Sequence, residues 1–254
     1  MTLAVLPIRE QVSPEEWDTR VQLAAAYRGL ALEGVTDYTY NHLSARVPGQ
    51  PDRVVVKAEH QLFQEVTASS LVTYSLQGEK LIGEGSLSRG GLVIHLGVLQ
   101  ARPDLQAVFH THTPANMAVS AQRFGLLNIT QHAVRFHGRI GYHDFGGFEF
   151  DVEGRQALVA ALEGRQIAIL RNHGVLVGGT TIPEAFVKHY FLEVSCRAQV
   201  AALSAGLDQL LVIDDAVAER AARQSEAKPR PDTTHRDWQA LLRQLAVHGP
   251  DYQN

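Results

Sequence analysis

The chain has little of what would mark a secreted, membrane-spanning or nucleic-acid-binding protein. Its 254 residues include one cysteine, Cys196, which excludes an internal disulfide framework and is typical of the reducing cytoplasm. No apolar run approaches the ~20 residues that a transmembrane helix needs. The N-terminal MTLAVLPIREQ lacks the basic segment and long apolar core of a secretory signal. We therefore expect a cytoplasmic protein with no membrane segment.

Neither positive nor negative charge predominates in the chain. The formal net charge is −4, and the arginines are scattered without a basic block or an interleaved aromatic stripe, so we expect no nucleic-acid partner. Hydrophobic residues make up 45% of the chain and charged residues 20%, which is ordinary globular composition. The 12 histidines are the unusual feature, and their positions matter more than their number.

Helix and strand patterns alternate along most of the chain. The stretch SPEE at 13–16 predicts a helix start, because serine caps, proline suits the first turn and acidic residues favour it. AVFHTH at 107–112 and QIAIL at 166–170 are typical of buried strands. The longest helical pattern runs from Pro183 to about Ala205. This alternation predicts an α/β fold in which helices cover a sheet.

The composition changes near residue 207. We predict a short arm at 1–12, one α/β domain at 13–207 and a helical tail at 208–254. The tail ends in an amphipathic helix that carries Trp238. Such a tail is too small to fold alone, so we expect it to pack on the body or on another subunit.

Two histidines end the first buried strand, and a third follows the second. Side chains at i and i+2 of a strand leave the same face about 6.7 Å apart, so His110 and His112 can converge on one ion. His173 follows QIAIL, and Gly174 permits a sharp turn beside it. Three imidazoles with open positions suit a catalytic metal. The spacing alone leaves a second interpretation open, a polar end to a strand that leaves the core.

Longer motifs resemble a known family. RPDLQAVFHTHTPANMAVSA at 102–121 and ILRNHGVLVGGTTIPEAF at 169–186 resemble the class II aldolase/adducin family, and more narrowly its adducin-head branch. YNHLSARVPG, FQEVTASSLVTYSLQGE, GRIGYHDFGG and FLEVSCRAQVAAL fit that branch in the same order, so the resemblance covers about 13–207. It implies a single α/β/α domain with a central mixed, mostly antiparallel sheet.

The resemblance also implies a cofactor and an assembly. Family enzymes bind a divalent metal with three histidines, which match His110, His112 and His173 here. Zn²⁺ is the first expectation, with Mn²⁺ or Fe²⁺ as alternatives. A homo-oligomer is implied as well, a tetramer with its pocket between subunits.

One catalytic group of the family is missing. Its aldolases carry a glutamate four residues before the histidine of the preceding helix; here that helix reads GGLVIH and the position is Gly91. The catalytic residue is therefore unknown. Glu84 and Tyr142 are weak candidates, and Glu79 and the His143-Asp144 pair are others nearby. A solvated loop acid is the alternative for Glu84, and a core position is the alternative for Tyr142.

The family match also suggests substrate-binding residues. Asn41 and Ser44 match a loop that lines the family's pocket, and Arg46 could hold a substrate carboxylate, with a structural ion pair as its alternative. The family's sugar-phosphate aldolases bind the phosphate with loops rich in Gly and Ser/Thr, and the corresponding FQEVTASS here has no glycine. The resemblance therefore implies a small, non-phosphorylated substrate. His95 is expected to be a satisfied core histidine.

Three functions remain open. The first is a metal-dependent carbon–carbon lyase that acts on a small hydroxy or keto acid, by aldol cleavage or by decarboxylation. The second is a non-haem iron oxygenase on the same scaffold. The third is a non-catalytic interaction module, similar to the adducin head. Anaerobic loss of activity would identify the second, and absence of metal from the purified protein would favour the third.

Overall fold

The computed structural model describes residues 6–147 and 152–254, so residues 1–5 of the predicted arm lie outside the described part. Eight strands form one sheet in the order β4-β3-β2-β1-β5-β8-β7-β6. They are β1 His42–Val47, β2 Gln50–Lys57, β3 Leu71–Ser75, β4 Lys80–Ile82, β5 Ala107–Thr111, β6 Ile140–His143, β7 Ile167–Leu170 and β8 Gly174–Gly179.

The helices cover both faces of this sheet. They are α1 Ile8–Gln11, α2 Pro14–Leu32, α3 Arg89–Ala101, α4 Pro114–Ser120, α5 Val152–Leu162, α6 Ile182–Ala202, α7 Asp215–Glu226 and α8 Arg236–His248. Strand β6 pairs with β7 in parallel, and the other neighbouring pairs are antiparallel. The predicted single α/β domain with a mixed, mostly antiparallel sheet is therefore confirmed.

Local sequence explains where the main helices begin. The Ser13 side chain accepts a hydrogen bond from the Glu16 backbone N–H at 3.2 Å, which caps α2 as the SPEE pattern predicts. Ser88 caps α3 in the same way through the Gly91 N–H, at 3.1 Å. Helix α3 therefore begins at Arg89, one residue before the glycine pair at 90–91 that the sequence suggests as its start.

Alternation along the strands divides the core into two layers. Phe109 packs with α2 and α6 on one face, whereas Val108 packs with α3 and α5 on the other. Both residues are fully buried. His110 alternates in the same way as Val108, so its side chain leaves the sheet on the α3–α5 face. That face holds the candidate site.

The tail packs on the body of its own chain. Trp238 of α8 is 1% exposed and contacts Phe186 of α6 with ring centroids 5.7 Å apart. Arg139 pairs with Glu219 and Glu226 of α7. Of the two alternatives that the sequence left open for the tail, the structure shows packing on the body of the same chain. In the described part of the chain, no helix has the length and apolar character to cross a bilayer.

Candidate metal centre

Strand pairing brings the three predicted histidines to one point. His110 lies in β5 and His112 follows it, while antiparallel pairing of β5 with β8 sets Thr111 opposite Val175. The turn from β7 to β8 therefore lies beside the end of β5, and it carries His173. Two physical features shape this turn.

Asn172 has a φ of 58°, in the left-handed region that asparagine tolerates better than most residues. Gly174 follows His173 at a point where the two strands approach closely. A Cβ added at Gly174 would lie 2.5 Å from the Thr111 carbonyl oxygen, so only glycine fits. The Asn-His-Gly sequence thus holds His173 against β5.

The ring nitrogens of the three histidines are in mutual contact. The Nε2 atoms of His110 and His112 are 2.9 Å apart, and those of His112 and His173 are 3.1 Å apart. Among the described residues, these three form the cluster whose ligand atoms all lie within 4.8 Å of one another. Nitrogens that each lie about 2.1 Å from one cation have a separation of this size.

The opposite ring nitrogens determine which tautomers the histidines adopt. His110 Nδ1 lies 3.0 Å from the Val175 carbonyl oxygen, and His112 Nδ1 lies 3.0 Å from Asp37 Oδ2. Both of those partners accept only, so each Nδ1 carries the proton and donates. When both rings are neutral, the two Nε2 lone pairs face each other at 2.9 Å. A divalent cation between them converts that repulsion into coordination, so the donor set fits a metal.

Burial keeps the imidazoles of His110 and His173 neutral. Burial, followed by the neighbouring His112, lowers the pKa of His110 well below its usual range. The same two causes, in the same order, lower the pKa of His173 to about 4. A neutral imidazole offers the lone pair that a metal ligand needs, so both are in the binding form near pH 7.

The cluster lies in the wall of a cavity of about 570 Å³. Its far wall is the first turns of α3, with Gly91 and Ile94, and helix α5 contributes Leu158. The polar residues that line it besides the three histidines are Thr39, Tyr40, His42, Lys57, Glu59, His60, Ser88, His143 and Arg171. The volume suits a small substrate.

The three residues expected to bind substrate make hydrogen bonds within the protein near the site. Asn41 Oδ1 accepts a hydrogen bond from the His112 backbone N–H at 2.8 Å, and Ser44 Oγ lies 2.5 Å from His95 Nδ1. Arg46 donates to backbone carbonyls, that of Leu99 at 2.5 Å among them. None of the three is among the described residues that line the cavity. For Arg46, these contacts favour the structural alternative.

The candidates for the missing carboxylate lie apart from the cavity, with one exception. Gly91 lines the cavity but has no side chain to offer. Glu84 is exposed in its loop, as is Glu79. The Tyr142 hydroxyl accepts from the Leu126 backbone N–H at 3.3 Å. His143 does line the cavity, so the exception is an imidazole rather than a carboxylate.

Sequence reasoning missed Asp37, His42 and Lys57. The only signal for His42 was its place in YNHLS, on the strand that pairs with β5. Lys57 donates to the Thr39 carbonyl at 2.9 Å, and burial lowers the pKa of its ammonium group to about 8. His95 is fully buried with both ring nitrogens bonded, as expected of a core histidine.

Several known proteins are similar to this chain in sequence and in fold. Residues 21–200 match the family described as class II aldolase and adducin N-terminal domain. A putative aldolase class 2 protein of Caulobacter vibrioides is 38% identical over 223 residues, 87% of each chain. An aldolase II superfamily protein from Pseudomonas syringae is 42% identical, with a TM-score of 0.93 over 97% of this chain and 99% of that one.

A more distant solved structure has a named enzymatic activity. It is an L-fuculose 1-phosphate aldolase from Glaciozyma antarctica, 26% identical, with a TM-score of 0.82 over 100% of this chain and 96% of that one. The family match extends over most of the described domain and includes the histidine-bearing strands. On these grounds the chain belongs to the class II aldolase and adducin family.

Proposed function

We propose that the protein is a divalent-metal-dependent lyase that breaks a carbon–carbon bond in a small, non-phosphorylated hydroxy or keto acid. The observation that carries the proposal is the contact between His110 Nε2 and His112 Nε2 at 2.9 Å, with both opposite nitrogens committed to donating. Such a contact is stable when both lone pairs share a cation. His173 completes the set at 3.1 Å from His112.

The residues have separate roles around that cation. His110, His112 and His173 would hold it, and Asp37 would orient His112 through the 3.0 Å contact at Nδ1. A divalent ion bound there supplies a Lewis acid that polarises the substrate's chelating oxygens and stabilises the negative charge left on bond cleavage.

The absence of a carboxylate at Gly91 favours decarboxylation or a base-independent cleavage. In decarboxylation of a 3-keto acid, the bond to the carboxylate breaks, its electron pair moves toward the neighbouring carbonyl group, and CO₂ leaves. A proton from solvent then takes the place of the carboxylate. No proton has to be removed from a C–H bond to begin this reaction. The lack of a base at Gly91 therefore slows decarboxylation less than it slows enolisation, because enolisation requires a base.

The segment that matches the family's phosphate-binding loop supports the proposal of a substrate without a phosphate. Residues 63–70 form two short 3₁₀ turns, Phe63–Glu65 and Ala68–Ser70, and no residue of this segment lines the cavity. The Ser70 hydroxyl bonds within its own turn, donating to the Thr67 carbonyl at 2.9 Å. This segment therefore offers no donor to an anion in the cavity.

An activity screen on metal-loaded protein tests the proposal. The protein is stripped with a chelator, reloaded separately with Zn²⁺, Mn²⁺ or Fe²⁺, and incubated with 3-keto acids and with acids that carry a hydroxyl group β to a ketone, while NMR follows carbon–carbon cleavage. We expect cleavage with at least one metal, its loss in His173→Ala, and its retention in His248→Ala, a control on the exposed end of α8. Cleavage that survives His173→Ala contradicts the proposal.

The same screen separates the other two functions. Activity that requires O₂ and Fe²⁺ identifies an oxygenase. A wild-type protein that binds none of the metals identifies a non-catalytic interaction module, the function that resembles the adducin head.

We further propose Zn²⁺ as the native metal, a cytoplasmic location in keeping with the free, buried Cys196, and a homotetramer. Metal analysis of protein purified without added metal tests the first. Light scattering tests the assembly, and a monomer in solution would overturn the tetramer.

A further inference from the structure

A second set of polar side chains lies beside the three-histidine site. His42 is the first residue of β1, and antiparallel pairing sets it directly opposite His110 of β5. The two rings therefore lie on the same face of the sheet, with centroids 5.2 Å apart. His42 also lines the cavity. Its position is thus fixed by the sheet, next to the candidate ligands but outside their cluster.

A buried chain of hydrogen bonds holds the His42 ring. His42 Nδ1 lies 2.7 Å from His95 Nε2, and His95 Nδ1 lies 2.5 Å from Ser44 Oγ. His95 and Ser44 are both 0% exposed. Burial lowers the pKa of His95 to about 3, so its ring is neutral and carries a single N–H. His95 therefore donates at one nitrogen and accepts at the other.

This chain has one arrangement that presents a donor to the cavity. A serine hydroxyl can donate, and a hydrogen bond from Ser44 to His95 Nδ1 places the His95 proton on Nε2. His95 then donates to His42 Nδ1. The single proton of a neutral His42 is left on Nε2, the ring nitrogen not engaged by His95. That N–H is available to a ligand in the cavity.

We propose that His42 contacts the substrate, and that its Nε2–H donates to a negatively charged oxygen of a metal-chelated hydroxy or keto acid. The oxygen in question is one that the metal does not bind. His95 and Ser44 are positioning residues that fix the ring and its tautomer. This inference rests on the proposed function, and it narrows the substrate to acids that chelate through some oxygens and present another to β1.

The chemistry favours an anionic partner. A neutral N–H that is held in place stabilises developing negative charge without reorganising during the reaction. Lys57 lines the same cavity, and its ammonium group donates to the Thr39 carbonyl at 2.9 Å. A donor that is held in place on the β1 side of the cavity suits an anionic oxygen. His42 acts here as a donor and not as the missing base.

Binding of two small chelators to Co²⁺-loaded protein tests the proposal. Oxalate chelates through two oxygens and presents two others, whereas acetohydroxamate also chelates through two oxygens but presents a methyl group. The visible absorption of Co²⁺ reports binding of either. In His42→Phe we expect the oxalate dissociation constant to rise about tenfold or more, since a hydrogen bond to a charged group is lost. The acetohydroxamate constant stays within twofold.

The positioning residues are tested through a double-mutant cycle. Ser44→Ala and His95→Gln each weaken oxalate binding about threefold in the wild-type background, because the N–H of His42 is less well fixed. In the His42→Phe background, neither adds a further loss. A merely structural role would give additive losses. If His42→Phe does not fold, the oxalate affinity of the milder variant Ser44→Ala tests the proposal instead.

His60→Phe is the matched control, because it removes another histidine from the cavity wall outside this chain of hydrogen bonds. We expect its oxalate affinity to equal that of the wild type. Equal oxalate affinity in all variants, with Co²⁺ still bound, overturns the inference alone, as does an equal loss in His60→Phe. A wild-type protein that binds no Co²⁺ overturns the proposed function itself.

Discussion

The two walls of the cavity are built very differently. On the strand side, His110 and His112 are held by hydrogen bonds at the nitrogen away from the cluster, to Val175 and Asp37. On the helix side, the first turns of α3 present Gly91 and apolar side chains such as Ile94. The strand wall is organised for a cation, whereas the described helix wall has no carboxylate. The candidate metal ligands are thus present in this chain without a carboxylate on the described helix wall.

The largest expected effect comes from restoring a carboxylate to the helix wall. Gly91→Glu places an acid where the family's aldolases carry one; the added Cβ would lie 2.9 Å from Leu87 Cδ1, a flexible contact that can shift. Because general-base catalysis contributes about 10²–10⁴-fold, we expect deuterium exchange into hydroxyacetone to rise about 100-fold in the metal-loaded variant. NMR in D₂O measures the exchange.

Gly91→Gln is the control for that experiment, since it has a similar shape without a base. Exchange by the wild type at the rate of the glutamate variant would show that another group already serves as base. The contrast between the two walls would then be false.

The next effect weakens the strand wall without touching a ligand. Asp37→Ala removes the acceptor for His112 Nδ1, so the imidazole loses its fixed tautomer and part of its basicity. Loss of such a partner costs about 10–100-fold in metal affinity. Competition with a colorimetric chelator measures the affinity. Asp104→Ala, which breaks a surface pair with Arg102, is the control and leaves the affinity unchanged. An Asp37→Ala protein with wild-type affinity would show that the contact has no such role.

The smallest effect concerns His189 of α6, which contacts β5 next to the candidate ligand His110. His189 Nε2 lies 2.7 Å from Thr111 Oγ1, and burial lowers the pKa of His189 to about 3. The unfolded chain, with a pKa near 6.5, takes up this proton first, so folded stability is full above about pH 6.5 and falls on acidification. The loss is about 1.4 kcal/mol per pH unit until the pH nears the folded value.

His189→Gln removes this titration. We expect its urea unfolding free energy, measured in metal-free protein between pH 7 and pH 5, to fall less steeply than that of the wild type by about that amount. The exposed control His248→Gln keeps the wild-type slope. Identical slopes for His189→Gln and the wild type would show that the imidazole is not held neutral by its burial.

Much of the fold could be predicted because local chemistry determines it. The SPEE cap, the buried run AVFHTH and the long helix from about Pro183 all correspond to observed elements. The meeting of His110, His112 and His173 was predictable for a different reason, since strand periodicity and the family's motifs both pointed to it. Whether a metal binds there stays a prediction.

The remaining site residues could not be predicted, because pairing between distant strands creates their environment. His42 becomes a cavity residue only because β1 pairs with β5, and Asp37 meets His112 across 75 positions of sequence. For Arg46 the sequence left a substrate carboxylate and a structural ion pair open. Strand β2, helix α3 and the loop before β5 instead present three backbone carbonyls to its guanidinium. Sequence alone gives no register between strands that are far apart.

Metal content tests the central claim most directly. The wild type and His110→Ala are purified without chelators and measured by inductively coupled plasma mass spectrometry after equilibration with each divalent metal. The account predicts about one tightly bound ion per wild-type chain and almost none in the variant, because the two remaining imidazoles no longer enclose the position between them. An unchanged metal content in His110→Ala would contradict it.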